Sequence, residues 1–220
     1  EMDIETWYPI NEFYKGVKTQ EPLNINKNYA YQVYTKRNLF VLSKLYDLIK
    51  IHGSNALLGG FISSLPRASK RNRYIPKYGN RHVGTLPNAL YFPPLFEENN
   101  IINAMKYRFN RIISLYKNYK SLNEENVCIT TQSSTSIKMI PDNTIDYIFT
   151  DPPFGQNIMY SELNYIRESW IKVITNNDNE AIINKVQKKG LPEYQQIMET
   201  CFKENYRILL WWKFKNNKWF

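Results

Sequence analysis

The segment Asp151-Pro152-Pro153-Phe154-Gly155 combines residue types that could hold a planar ring carrying an amino group. The two prolines fix φ and lack an N–H, so the backbone there offers carbonyl acceptors without competing amide donors. The carboxylate of Asp151 adds an acceptor, the ring of Phe154 offers a flat face, and Gly155 permits a tight turn. These properties predict an acceptor-only cradle for a group with two N–H donors, such as an exocyclic amine.

The surrounding pattern indicates which elements must position this segment. Residues 145–150 are apolar and follow a turn-forming sequence, which predicts a buried strand, and residues 126–132 predict another strand. Helices are predicted over residues 161–174 and 191–209. Strands alternating with helices are typical of a parallel α/β sheet, whose sites lie beyond the carboxyl ends of the strands. We therefore expect Asp151 at such a strand end.

The sequence DPPF after DYIF resembles the catalytic motif of the amino-methyltransferases that modify exocyclic nitrogens of nucleic-acid bases. The continuation FGQNIMYSELN is most similar to the bacterial DNA N4/N6 methylases, often part of restriction-modification systems. The resemblance spans residues 126–209, under half of the chain. It implies an α/β fold with a partial Rossmann-like methyltransferase sheet, S-adenosylmethionine as cofactor and DNA as partner.

The resemblance also implies a reaction, methylation of an exocyclic amine of a DNA base, with adenine N6 favoured over cytosine N4. Asp151 and the carbonyl of Pro152 would accept hydrogen bonds from the target amine, and Phe154 would stack on a base extruded from the duplex. The candidate catalytic residues are Asp151, Pro152, Pro153 and Phe154. The same motif also serves RNA base N-methyltransferases, and an inactive nucleic-acid-binding remnant is a further alternative.

The cofactor-binding half of such a site is less visible. The family carries F-x-G-x-G after another strand, and this sequence contains no such motif. The resemblance places Gln132, Ser133 and Ser134 near the adenine of the cofactor, although the same residues are equally compatible with a polar turn. Because the chain opens on Glu1 and lacks the glycine-rich loop, we expect a fragment of a longer enzyme. We expect this fragment by itself to bind the cofactor poorly, and the sequence does not decide whether it is active by itself.

We divide the chain into a helical and irregular region, residues 1–120, and part of a methyltransferase α/β domain, residues 121–220. Helices are predicted over residues 35–53, 55–66 and 99–119. The loop 67–84 between them is a possible DNA-contacting insertion, because its cations could bind phosphates and its tyrosines could stack on bases. An ordinary solvated loop has the same composition. Its candidate nucleic-acid residues are Arg67, Lys70, Arg71, Arg73, Tyr74, Lys77 and Arg81.

The overall composition fits a polyanionic partner. The chain has 29 Lys and Arg against 20 Asp and Glu, a net charge of +9, although an AT-rich genome would enrich lysine equally. Cys128 and Cys201 are far apart, which predicts reduced thiols and no metal site. No apolar run is long enough for a membrane span and no signal peptide is recognisable, so we expect a cytoplasmic protein.

Overall fold

The computed structural model describes residues 3–79, 81–118 and 127–210. Helix accounts for 47% of the structure and strand or bridge for 5%. Over the described ranges no sheet forms, and β-pairing is limited to isolated bridges. The prediction of an α/β fold with a partial Rossmann-like methyltransferase sheet is therefore wrong.

The described residues form α-helices and short 3₁₀ turns. The 3₁₀ turns cover Ala30–Val33, Pro76–Tyr78 and Asn177–Asn179. The α-helices are α1 (Gln20–Leu23), α2 (Lys36–His52), α3 (Asn55–Ala68), α4 (Ile101–Asn118), α5 (Tyr160–Ile171) and α6 (Leu191–Ile208). The predicted limits of α2 are confirmed, because the Thr35 side chain accepts from the Asn38 N–H and Gly53 ends the helix at φ +64°.

The predicted strand 145–150 is instead a largely exposed segment without strand structure. It makes one parallel bridge, between Ile145 and Leu209, and the side chains of Tyr147 and Phe149 are 76% and 83% exposed. A buried parallel strand needs strands on both sides for its backbone and cover for both faces. The described residues supply only that bridge. In the other predicted strand, residues 127–132 also lack strand pairing and Ile129 is 90% exposed, while Asn126 lies outside the described residues.

The chain forms two compact units, Glu1–Leu122 with Tyr160–Thr175, and Asn123–Met159 with Asn176–Phe220. In the first unit the core is built around Trp170, which is fully buried. Its ring packs edge-to-face on Phe61 with centroids 5.2 Å apart, and its Nε1 donates to the Tyr34 hydroxyl at 3.1 Å. Aromatic pairs of this kind add to the free energy of area burial.

A buried carboxylate attaches the N-terminal segment of the first unit to α5. Glu162 is fully buried and accepts the backbone N–H groups of Lys18 at 2.5 Å and Thr19 at 3.1 Å. Gly16 makes room for it, since a Cβ there would lie 2.5 Å from the carboxyl group. Glu162 belongs to the YSELN part of the motif continuation, and in this structure it has a structural role.

The second unit is organised by α6. Pro192 lies in the first turn, as the sequence predicts, and Glu193 accepts the Gly190 N–H at 2.7 Å. In the last turn, Arg207 donates to the carbonyls of Ile137 and Ile140 and to the carboxylate of Glu204. The hydrogen bond from Arg207 lowers the pKa of Glu204 to about 2. These bonds hold the chain around residue 140 against the end of α6.

Candidate functional site

The DPPF segment, residues 151–154, is a surface turn on α6 in the second unit. The hydroxyl of Tyr194, in the first turn of α6, donates to the Pro153 carbonyl at 2.6 Å. On the other side Gly155 has φ +61°, which favours glycine, and its carbonyl accepts the Ile183 N–H at 3.4 Å. A helix and a loop therefore position the motif, where the sequence predicted a sheet.

Two acceptors of the predicted cradle are available to a ligand. Over the part of the chain that the structure describes, neither the Asp151 carboxylate nor the Pro152 carbonyl accepts a hydrogen bond. Asp151 is exposed, and Pro152 is partly exposed. The Pro153 carbonyl is already bonded by Tyr194, so its role is to anchor the turn.

A cavity of about 460 Å³ opens beside these acceptors. Asp151, Pro152 and Pro153 line it, and so do Ser133, Ser134 and Thr135. Residues of α6 form a further part of the lining, and these are Ile197, Met198, Cys201, Phe202 and Asn205. The volume lies within the range of about 300–1,000 Å³ that is typical of small-molecule sites.

This cavity brings together two groups that the sequence placed in different roles, the motif and the two serines. Gln132 does not line it, and its amide nitrogen donates to the Thr130 hydroxyl at 3.4 Å. Phe154 is 71% exposed and lines neither this cavity nor the neighbouring apolar one. The Phe154 ring is thus accessible for stacking, but it is outside the enclosed space.

Three aromatic side chains and one methionine of α6 form a second surface, which was not predicted from the sequence. Tyr194, Met198, Phe202 and Tyr206 line an open apolar groove that also includes Pro152. These residues recur at intervals of four, which places them on one face of the helix. Phe202 lines both the groove and the 460 Å³ cavity and is 51% exposed. The four-residue spacing could have predicted this apolar face of α6, although the same spacing usually indicates a helix face that is buried in the core.

Residues of the predicted DNA-contacting loop fall into two groups. Four of the cations donate to oxygens within the first unit, from Arg67 to Asn99, Lys70 to Gln32, Arg71 to Ala89 and Arg73 to Gly84. The remaining three residues, Tyr74, Lys77 and Arg81, are exposed. Arg67, in the last turn of α3, is exposed as well, although its Nε is bonded to Asn99.

Over the described ranges, no cluster of three potential metal ligands occurs, and no helix has the length and apolarity needed to cross a membrane. Comparisons with protein-family models, curated proteins and solved structures found no match. The resemblance to the amino-methyltransferases therefore depends on the motif and its continuation alone.

Proposed function

We propose that this protein transfers a methyl group from S-adenosylmethionine to the exocyclic amine of a DNA base, adenine N6 in preference to cytosine N4. One observation carries the proposal. The Asp151 carboxylate and the Pro152 carbonyl are unbonded acceptors, within the described ranges, at a ligand-sized cavity that is also lined by serine hydroxyls. An exocyclic amine has two N–H donors, which match two acceptors on adjacent residues.

The residues of the turn act by positioning and electrostatics. Asp151 and Pro152 accept the two N–H groups of the amine, which orients the nitrogen lone pair and stabilises the positive charge that develops on nitrogen. The amine loses its proton after it gains the methyl group, so no strong base is needed before attack. Stacking on an aromatic ring, Phe154 or Phe202, offsets part of the cost of extruding the base.

The cavity fits a nucleoside-sized cofactor in its volume and in the hydroxyl-bearing residues that line it. Ser133, Ser134 and Thr135 would hold the adenine of S-adenosylmethionine through their hydroxyl groups. When bound, this cofactor supplies an electrophilic methyl group.

The identity of the methylated base tests the proposal. The protein is incubated with S-adenosylmethionine labelled in its methyl group and with duplex DNA, single-stranded DNA or RNA, and the nucleosides are then analysed by mass spectrometry. We expect labelled N6-methyladenine in DNA. Labelled N4-methylcytosine would support the same reaction with cytosine as the target base. Label in RNA alone would support an RNA methyltransferase. No label in any substrate would contradict methyl transfer.

A second candidate function is nucleic-acid binding without catalysis. It is favoured by the lack of a sheet in the residues described, because rigid strand ends usually position the sites of α/β enzymes. DNA binding that is unaffected by S-adenosylmethionine, together with no labelled product, would support this second function.

A further inference from the structure

A separate cavity of about 210 Å³ lies within the first unit. Its wall includes the C-terminal turn of α3, residues 85–89, and one face of α5. Two arginines line it, Arg71 and Arg167, and among the described residues of its lining none is acidic. A cavity with two cations and no acid is electrostatically suited to an anion.

Arg71 has a donor that the protein leaves unused. Its Nη2 donates to the Ala89 carbonyl at 2.5 Å, whereas its Nε is enclosed and has no hydrogen-bond partner in the described part of the chain. A buried donor without a partner is unfavourable, and most such donors in folded proteins are paired. Burial lowers the pKa of Arg71 to about 10, so its guanidinium is still charged at neutral pH.

Further donors surround the same space. Arg167 is exposed and uses Nη1 to donate to Asn164 at 3.2 Å, which leaves most of its N–H groups available. The hydroxyl of Thr85 and the amide of Asn88 also line the cavity, and neither side chain has a partner in the ranges described. The cavity thus combines two guanidinium groups with two neutral donors.

One carboxylate lies close enough to compete for Arg71. Glu21 interacts with it electrostatically, and its Oε2 is likewise buried without a hydrogen bond in the described residues. Glu21 does not line the cavity, however, and no ion pair joins it to Arg71 in the described structure. Burial raises the pKa of Glu21 above its ordinary value.

We propose that this cavity binds a phosphate group, either inorganic phosphate or the terminal phosphate of a nucleotide. Guanidinium groups match phosphate oxygens in geometry and charge, and the described lining of the cavity provides several donors and no carboxylate. Its volume is below the range of about 300 Å³ and more that holds a whole small-molecule ligand. The phosphate alone would enter, and any attached nucleoside would stay outside.

Isothermal titration with sodium phosphate at constant ionic strength tests the proposal. We expect saturable binding to the unaltered protein, and we expect Arg71→Lys and Arg167→Ala each to weaken it by about tenfold or more, since each removes charge-assisted bonds. Lys50→Ala, which removes one charge from exposed α2 surface outside the cavity, should leave the affinity unchanged. Arg167 is exposed, so its variant should fold even if the Arg71 variant does not.

The results separate the alternatives. No saturable binding, or an equal loss in Lys50→Ala and Arg167→Ala, would overturn the proposal. Glu21→Gln should strengthen phosphate binding by removing a nearby negative charge, and weaker binding in that variant would also contradict it. A 5′-phosphorylated dinucleotide that binds more tightly than inorganic phosphate would identify a nucleotide terminus as the ligand, and equal affinity would identify free phosphate.

Discussion

At the scale of single residues, the chemistry of the DPPF turn depends on which acceptors are free. Pro153 is bonded to Tyr194, while Asp151 and Pro152 are not bonded among the described residues. The Tyr194 contact therefore helps to fix the turn, and two adjacent groups remain for a ligand. The prolines suit this division because neither can donate a competing hydrogen bond.

Removing the anchoring hydroxyl should loosen the turn. Tyr194→Phe deletes the bond to the Pro153 carbonyl and should lower the free energy of unfolding by about 1 kcal/mol, a usual value for one hydrogen bond. Denaturant titration measures this change. Tyr147→Phe is the matched control, because Tyr147 is 76% exposed and should tolerate the loss of its hydroxyl. Equal stability of the two variants would show that the Tyr194 bond contributes nothing.

At the scale of elements, helices were predictable and strands were not. Thr35, Gly53 and Pro192 are local signals that mark helix ends through nearby backbone groups, and the structure places helix ends beside them. A strand depends on partners distant in sequence, and residues 145–150 find only one bridge within the described ranges. The apolar pattern of residues 145–150 could not reveal that no partner strand lies beside them in the described structure.

The candidate site also has a part that could be predicted from the sequence and a part that could not. The motif could be recognised from adjacent residue types, and Ser133 and Ser134 from their position before the motif. Their meeting in one cavity depends on α6, whose Tyr194 and Phe202 were not singled out. Helix periodicity predicts a face but not the segment that packs on it, so these two residues required the structure.

Replacing the buried carboxylate of α5 should destabilise the first unit. Glu162→Gln keeps the shape but places an amide N–H₂ near the backbone donors of Lys18 and Thr19. We expect the free energy of unfolding to fall by about 1–3 kcal/mol, the usual cost of leaving a buried polar group without its hydrogen bond. Thermal unfolding followed by circular dichroism gives the change. Glu5→Gln, on the exposed surface of the same unit, should have no effect, and a similar small effect for both variants would argue against the role of Glu162.

At the scale of the whole molecule, the net charge of +9 favours association with a polyanion. The structure reduces the predicted DNA-contacting loop to a smaller exposed set, because four of its cations are bonded within the first unit. Lys77 and Arg81 are exposed and have no hydrogen bond from their side chains in the described structure, so they are the cations best placed to contact phosphates.

These two side chains should control the salt dependence of DNA binding. The double variant Lys77→Ala/Arg81→Ala should bind DNA more weakly. The slope of log K against log salt should become less negative by about 0.9 for each phosphate that the variant no longer neutralises. Fluorescence anisotropy at several salt concentrations measures the slope. Lys50→Ala/Lys106→Ala removes the same charge from the exposed surfaces of α2 and α4 and serves as control. Identical slopes for the two double variants would exclude Lys77 and Arg81 as phosphate contacts.

Methyl transfer to DNA by Asp151→Ala, compared with the unaltered protein, tests the proposed function most directly. We expect the variant to lose labelled N6-methyladenine by a factor of about 10²–10³, the usual cost of removing one group that stabilises developing charge. Its folding should be unchanged, because Asp151 is exposed and makes no hydrogen bond in the described structure. Asp47→Ala, at another exposed position, should transfer methyl groups normally. Near-normal transfer by Asp151→Ala would contradict the proposed site.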